Sequence, residues 1–301
     1  MGSTPAFTEV IAGQSFLEGP RWHDGQLWLS DFYTHRVIRV DAAGEVHIVA
    51  EVPAQPSGLG WLPDGRLLIN AMRERKVLRL EPDWQLVTHA DLSAFAGGHV
   101  NDMVVDVEGR AYVGNFGFDL MSGAPMATAS LACVEPDGSA RVVADDLYFP
   151  NGSMITPDGK TLIVCETMGN RISAFDILPG GDLGPRRDWA VFGAPPDSTD
   201  VSAQIPVLAV APDGAVLDAE GAVWCADATH HRVLRVAQGG RILQEISTGA
   251  MGVFACTLGG PDRRTLYLCV APDFLEHNRA PVREAALWSV QVEVPGAGWP
   301  C

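Results

Sequence analysis

The chain has 301 residues, of which 47% are apolar and 19% charged, so it can bury a sizeable core and wholesale disorder is excluded. Its formal net charge is −16, and no run of Lys or Arg builds the basic face that nucleic acid or an anionic membrane surface requires. No stretch approaches the roughly eighteen consecutive apolar residues of a membrane span. Residues 1–10 also lack the basic start and apolar core of a secretory signal.

In chain order, residues 7–12 read as a lone strand. Three alternating runs then follow Gly25, at 26–31, 35–41 and 46–50. The plan repeats at 66–70, 76–80 and 86–89, and again at 111–114, 131–135 and 140–143. It returns at 161–165, 171–175 and 189–192, then at 223–226, 232–236 and 242–246. A looser sixth unit holds 253–256, 265–269 and 287–290. Each unit gains a further strand from the segment before its first Gly turn. The pattern therefore predicts an all-β fold, a six-bladed β-propeller with four antiparallel strands per blade. One domain covers 1–301, and the N-terminal strand at about 7–12 closes the last blade. The six cysteines, Cys133, Cys165, Cys225, Cys256, Cys269 and Cys301, form no Cys-x-x-Cys pair and sit mostly in apolar runs. They read as buried free thiols of a cytoplasmic protein.

The segment that ends on each Gly turn carries the chemical signal. It begins at Glu18, Ser57, Asn101, Asn151 and Asp213 and closes on Gly25, Gly65, Gly109, Gly159 and Gly221. Equivalent positions on innermost strands ring the central channel, so Glu18, Asn101, Asn151 and Asp213 converge at one mouth. Blade two offers Ser57 there and blade six Met251, leaving that side open. Two carboxylates and two amide oxygens suit one divalent cation, Ca²⁺ first, with Zn²⁺, Mn²⁺, Mg²⁺ or Fe²⁺ as alternatives. Asn-Gly and Asp-Gly are also ordinary turn formers, but no turn requires Glu18. Strand direction places residues 94–99 and 149–150, and the connections 115–129, 228–231 and 271–286, on the same face.

Leu17-Glu-Gly-Pro-Arg-Trp22, Val100-Asn-Asp102, Phe149-Pro-Asn-Gly152 and Pro212-Asp-Gly214 with Asp218-Ala-Glu-Gly-Ala-Val-Trp224 resemble, in order and over nearly the whole chain, the gluconolactonase, regucalcin and luciferin-regenerating enzyme family. The resemblance implies a six-bladed propeller with one divalent cation on Glu18, Asn101, Asn151 and Asp213. It further implies ring-opening hydrolysis of lactones, with phosphotriester cleavage in some relatives. On the same ground Asp213 doubles as general base or nucleophile, and Asp102 and Asp119 lie near substrate. Two departures stand out: His99 occupies a place where sugar-lactone members commonly carry Arg, and Gly114-Asn-Phe-Gly-Phe118 replaces Gly-Thr-Met. Losing a guanidinium and gaining Phe116 and Phe118 points to a substrate less polar than a sugar lactone, although the two rings would serve lid packing equally well.

The expected site thus has Asp213 and Asp102 as catalytic carboxylates, Asp102 having the alternative of orienting Asn101. His99, Asp119, Phe116, Phe118, Phe149 and His230 are the substrate contacts, and His99 or His230 protonates the leaving alkoxide. Gly-x-Ser-x-Gly and His-Glu-x-x-His are both missing, which argues against serine-hydrolase and zincin chemistry. A phosphotriesterase or other activated-ester hydrolase at the same site is the near alternative. A cation-stabilised propeller that only binds a partner is the distant one. The expected partner is a small-molecule substrate, with a monomer as the default state.

Overall fold

The structure is a computed structural model that describes residues 6–298. Twenty-four strands form six four-stranded antiparallel sheets, as the repeat predicts. Blade 1 comprises β2 (Leu17–His23), β3 (Gln26–Asp31), β4 (Arg36–Val40) and β5 (Val46–Glu51), and blade 2 comprises β6 (Pro56–Trp61), β7 (Leu67–Ala71), β8 (Lys76–Leu80) and β9 (Leu86–Asp91). Blade 3 holds β10 (Val100–Val105), β11 (Ala111–Asn115), β12 (Ala129–Val134) and β13 (Ala140–Leu147), and blade 4 holds β14 (Pro150–Ile155), β15 (Thr161–Glu166), β16 (Arg171–Asp176) and β17 (Arg187–Val191). Blade 5 is β18 (Pro212–Leu217), β19 (Val223–Asp227), β20 (Arg232–Val236) and β21 (Ile242–Ser247). Blade 6 is β22 (Gly252–Gly259), β23 (Thr265–Ala271) and β24 (Ala285–Gln291), completed by β1 (Thr8–Gln14), which pairs antiparallel with β24. The N-terminal strand therefore closes the circle where the sequence places it.

Burial falls from the innermost strand outward, which explains the differing patterns. β10 is buried along its whole length, whereas β21 buries only Ile246. Middle strands have a neighbouring blade on each side, so their runs are continuously apolar rather than alternating. Six apolar clusters fill the six blade interfaces, for example Leu59, Ile69 and Val37 between blades 1 and 2, and Leu217, Val223 and Ile163 between blades 4 and 5. Cys133, Cys165, Cys225, Cys256 and Cys269 lie in these layers as buried free thiols; Cys301 lies outside the described residues. No helix among the described residues is long and apolar enough to cross a membrane.

Two backbone features position the channel mouth. The closing glycines Gly25, Gly65, Gly109, Gly159 and Gly221 have φ between 69° and 87°, the left-handed region that fixes the repeat's register. Each inner strand also carries a register shift just inside its start, between Glu18 and Arg21 in blade 1, Pro150 and Ser153 in blade 4, and Pro212 and Ala215 in blade 5. The same shift recurs in blades 2, 3 and 6. Such a bulge re-aims a side chain out of the pleat. In blades 1 to 5 it lies at or just after the second residue of the strand, Glu18, Ser57, Asn101, Asn151 and Asp213, and in blade 6 it skips the third, Phe254. Blade 6 turns Phe254 toward the pocket rather than the expected Met251, while Val253 packs in the cluster between blades 5 and 6.

The third residue is Gly19, Gly58, Gly152 or Gly214 in four blades, because the next blade's inner strand lies against it. A Cβ on Gly58 would stand 2.6 Å from the Met103 nitrogen, and one on Gly152 would stand 2.6 Å from the Ala215 nitrogen. Gly152→Ala is accordingly expected to lower unfolding stability by about 1–3 kcal/mol. Urea denaturation measures this, and an unchanged midpoint would show that the blades tolerate being spread.

Candidate active site

The wall of the channel mouth is built from one repeated backbone hydrogen bond. In five blades the residue after the second strand donates its N–H to the carbonyl of the residue before the first: Phe32 to Phe16 (2.9 Å), Met72 to Gln55 (2.9 Å), Phe116 to His99 (3.0 Å), Thr167 to Phe149 (3.1 Å) and Ala228 to Ala211 (3.0 Å). All ten residues line a pocket of about 800 Å³ whose floor is Glu18, Asn101, Asn151 and Asp213. Blade 6 has Pro272 after its second strand, and proline has no N–H to give. Phe254 and Phe274 line the pocket on that side instead. Carboxylates at the ends of second strands hold the lead-in segments in place. Asp31 accepts from the Phe16 N–H (2.9 Å), Glu166 from Tyr148 (2.8 Å) and Asp227 from Ala211 (3.0 Å).

The floor brings all four expected donors together. Asn151 Nδ2 donates to Thr167 Oγ1 (3.1 Å) and to an Asp213 carboxylate oxygen, and Thr167 in turn donates to the Pro212 carbonyl (3.0 Å). Ser57 donates to Asn101 Oδ1 (3.2 Å), which leaves that amide oxygen a second lone pair. Glu18 accepts from the Gly19 N–H (3.1 Å). Among the described residues neither Glu18 nor Asp213 forms an ion pair. Burial, the neighbouring Asp102 and the proximity of the two groups push both carboxyls up, Glu18 to about 8 and Asp213 well above the usual carboxylate range. A second cation candidate, Asp41, Glu45 and His47, sits on the β4–β5 turn at the other end of the propeller. There Asp41 already binds His47 Nε2 (3.0 Å) and the Ala43 and Glu45 N–H groups.

Four expected placements are corrected. Asp102 is not in the pocket: its carboxylate is bound by Arg21 Nη2 (2.7 Å) and the Met103 N–H (2.8 Å), as a buried ion pair beside the donors. Its neighbours explain this, because the bulge that aims Asn101 at the floor leaves Asp102 facing Arg21 on blade 1. Asp119 is exposed and accepts from the Ser122 N–H (3.1 Å), capping a short 3₁₀ turn. His230 is exposed and held by Asp227 (2.9 Å), off the pocket lining. Phe118 is buried in the cluster behind the wall without lining the pocket. His99, Phe116 and Phe149 do line it, with the Phe116 and Phe149 rings 4.4 Å apart. Burial and the nearby Arg73 hold the His99 imidazole below its ordinary pKa.

The sequence reading misses Phe16, Phe32, Met72, Leu208, Phe254 and Phe274, which supply most of the apolar wall. A signal for the first three exists: they occupy the same register positions as His99 and Phe116. Residues 192–211 are also missed as a lid, although Val201–Gln204 and Ile205–Val207 fold there into two short helical turns.

The family model described as SMP-30/Gluconolactonase/LRE-like region matches residues 16–272. A regucalcin from Danio rerio is 27% identical over 194 residues, covering 63% of this chain and 61% of that protein. A 6-deoxy-6-sulfogluconolactonase from Pseudomonas putida is 25% identical over 294 residues, 94% of this chain and 93% of that protein. Among solved structures, a calcium-binding regucalcin from Agrobacterium tumefaciens matches with a TM-score of 0.77 at 21% identity, over 97% of this chain and 95% of that one.

Two carboxylates without ion-pair partners, Asp213 buried and Glu18 partly so, fit a divalent cation together with the flanking amides, and the fit has a pH signature. The Glu18 carboxyl sits at about 8 in the fold against an ordinary 4.5, so folding without a cation takes up a proton. That stability is complete below the unfolded value and is lost as pH rises through the folded one. The melting temperature of chelated protein is expected to fall between about pH 4.5 and pH 8 and to level off above that, and Ca²⁺ or Mn²⁺ is expected to reverse the fall. A flat profile that ignores added cation would remove the case for a cation at this floor.

Proposed function

Given that the chain belongs to the SMP-30/gluconolactonase/LRE-like family, we propose that it is a divalent-cation-dependent hydrolase that opens a lactone less polar than a sugar lactone. The observation that carries this reading is a donor set of two carboxylates and two amides at the bottom of an apolar pocket. The relatives named as sulfogluconolactonase and pentonolactonase support the reaction class. A cation held by Glu18, Asn101, Asn151 and Asp213 would supply Lewis-acid polarisation of the ester carbonyl.

The chain's own residues do the remainder. Asp213, a buried carboxylate that a bound cation would keep ionised, takes the proton of the attacking water. The water oxygen bonds to the carbonyl carbon and the bond from that carbon to the ring oxygen breaks. Asp213 returns its proton to the ring oxygen, and the product hydroxy acid ionises with release of one proton. His99, held neutral at the rim, orients substrate by hydrogen bonding, a role for which an imidazole below its ordinary pKa suits better than donating a proton. Asn151, fixed through Thr167, orients Asp213.

The wall supports the polarity inference. None of the described residues lining the pocket is Lys or Arg. Its polar groups are largely engaged already: the Gln55 side chain accepts from Arg73 (2.9 Å), Thr167 donates to Pro212, and the Tyr33 hydroxyl donates to the Phe274 carbonyl (2.7 Å). A polyhydroxylated ring would bury hydroxyls without partners here, an unfavourable exchange of about 1–3 kcal/mol each.

Acid release in a pH-stat, with γ- and δ-lactones both sugar-derived and alkyl- or aryl-substituted, tests the proposal. Hydrolysis is expected to vanish in chelator and return with Ca²⁺, Mn²⁺, Zn²⁺ or Fe²⁺, with apolar lactones preferred. Asp213→Asn is expected to lower kcat by about 10²–10⁴-fold while the protein stays folded by circular dichroism. Silence across the panel with every cation would overturn the reading.

A further inference from the structure

Beyond the pocket lies a second, more open hollow, bounded by three segments that rise above the mouth. They are the connection 116–128, the lead-in 192–211 and the connection 272–284. Leu120, Met121, Ile205 and Phe274 line both spaces, so the two adjoin across these four side chains. Its walls are mainly apolar. Its acidic groups are spoken for: Glu276 pairs with Arg73 (2.6 Å) and Asp200 caps the Val201–Gln204 turn through the Ser202 N–H (2.9 Å). The segments are also tied in place. The Met126 N–H bonds the Thr199 carbonyl (2.7 Å), joining the first two, and Tyr33 holds the third.

Despite these ties, Met121, Phe274 and Leu275 stay 43%, 38% and 38% exposed. Three braced segments that hold large apolar side chains apart, above an apolar pocket, leave a slot that a hydrocarbon chain fills and water fills poorly. We propose that this slot is a binding site for the hydrocarbon tail of the substrate, so that the preferred lactone carries an unbranched alkyl or acyl chain running from the donor floor out between Met121, Ile205 and Phe274. The proposal rests on the ester-opening reading for what lies at the floor, and on the four side chains shared by the two hollows for where the tail goes.

The experiment uses γ-lactones with no side chain, a four-carbon chain and an eight-carbon chain, with the cation restored. Each methylene moved from water into an apolar slot is worth about a fourfold gain in affinity. kcat/KM is therefore expected to rise at least about tenfold across the series, through KM rather than kcat. Leu275→Ser, which touches only the outer hollow, is expected to shrink that ratio at least about threefold. Independently of turnover, displacement of the dye Nile red by γ-lactams with the same three chains is expected to tighten with chain length in the wild-type protein. Hydrolysis with a flat chain-length series and flat displacement would overturn the tail site while leaving the hydrolase reading standing. Chain-length-dependent displacement without any hydrolysis would support the tail site and overturn the hydrolase reading. A stable dimer in sedimentation that excludes the dye would show that a second copy covers the slot, and would overturn the proposal.

Discussion

The closeness of neighbouring inner strands at the channel mouth governs everything built there. Gly58, Gly152 and Gly214 leave no room for a Cβ between one blade and the next, so the second-position side chains of blades 1, 3, 4 and 5 meet around a narrow axis. That convergence places Glu18 and Asp213 together in low-dielectric surroundings, where burial raises the proton affinity of both and Glu18 raises that of Asp213 further. A fold optimised for stability alone would avoid two carboxylates without ion-pair partners in such surroundings. Their presence sets local stability against chemistry, as functional sites commonly do. Arg21 moderates the conflict from below by neutralising Asp102, the third acid of the group.

Above this floor the labour is divided by level. The donors come from the second residue of each inner strand, the wall from residues flanking the first two strands, and the rim from long insertions. Each level is set by a different physical device: a bulge, a recurring backbone hydrogen bond, and loop length. Changing one therefore leaves the others intact. The wall tolerates His99 and Gln55 beside Phe16 and Phe149, because the bond that repeats around it joins main-chain atoms rather than the side chains facing the pocket. The scaffold can accordingly vary what it accepts without disturbing how the donors are held.

The repeat, the blade count and the donor positions were legible in the amino-acid sequence because they depend on local rules. Glycines at positive φ fix a period, and Glu18 has no turn to explain it. Phe16, Phe32 and Met72 were legible in principle by counting from those donors. Asp102 and His230 misled because type and proximity to a motif say nothing of direction. A one-residue bulge turns Asp102 toward Arg21, and a carboxylate sixteen residues downstream of Ala211, Asp227, claims both that backbone N–H and the His230 ring. The lead-in 192–211 was opaque for another reason: its two helical turns are too short to impose a period, and they hold together through contacts with residues far away in sequence.

Blade 6 carries a final implication. It is assembled from both ends of the chain, with β1 hydrogen-bonded to β24, and it alone lacks the wall bond because Pro272 cannot donate. It is therefore the seam of a closed ring. Glu18 follows β1 by only four residues, whereas Asn151 and Asp213 belong to blades 4 and 5. A ligand gripped by all of them clasps the seam shut across the axis, and slippage of β1 would slacken that grip while every other blade still held its strands.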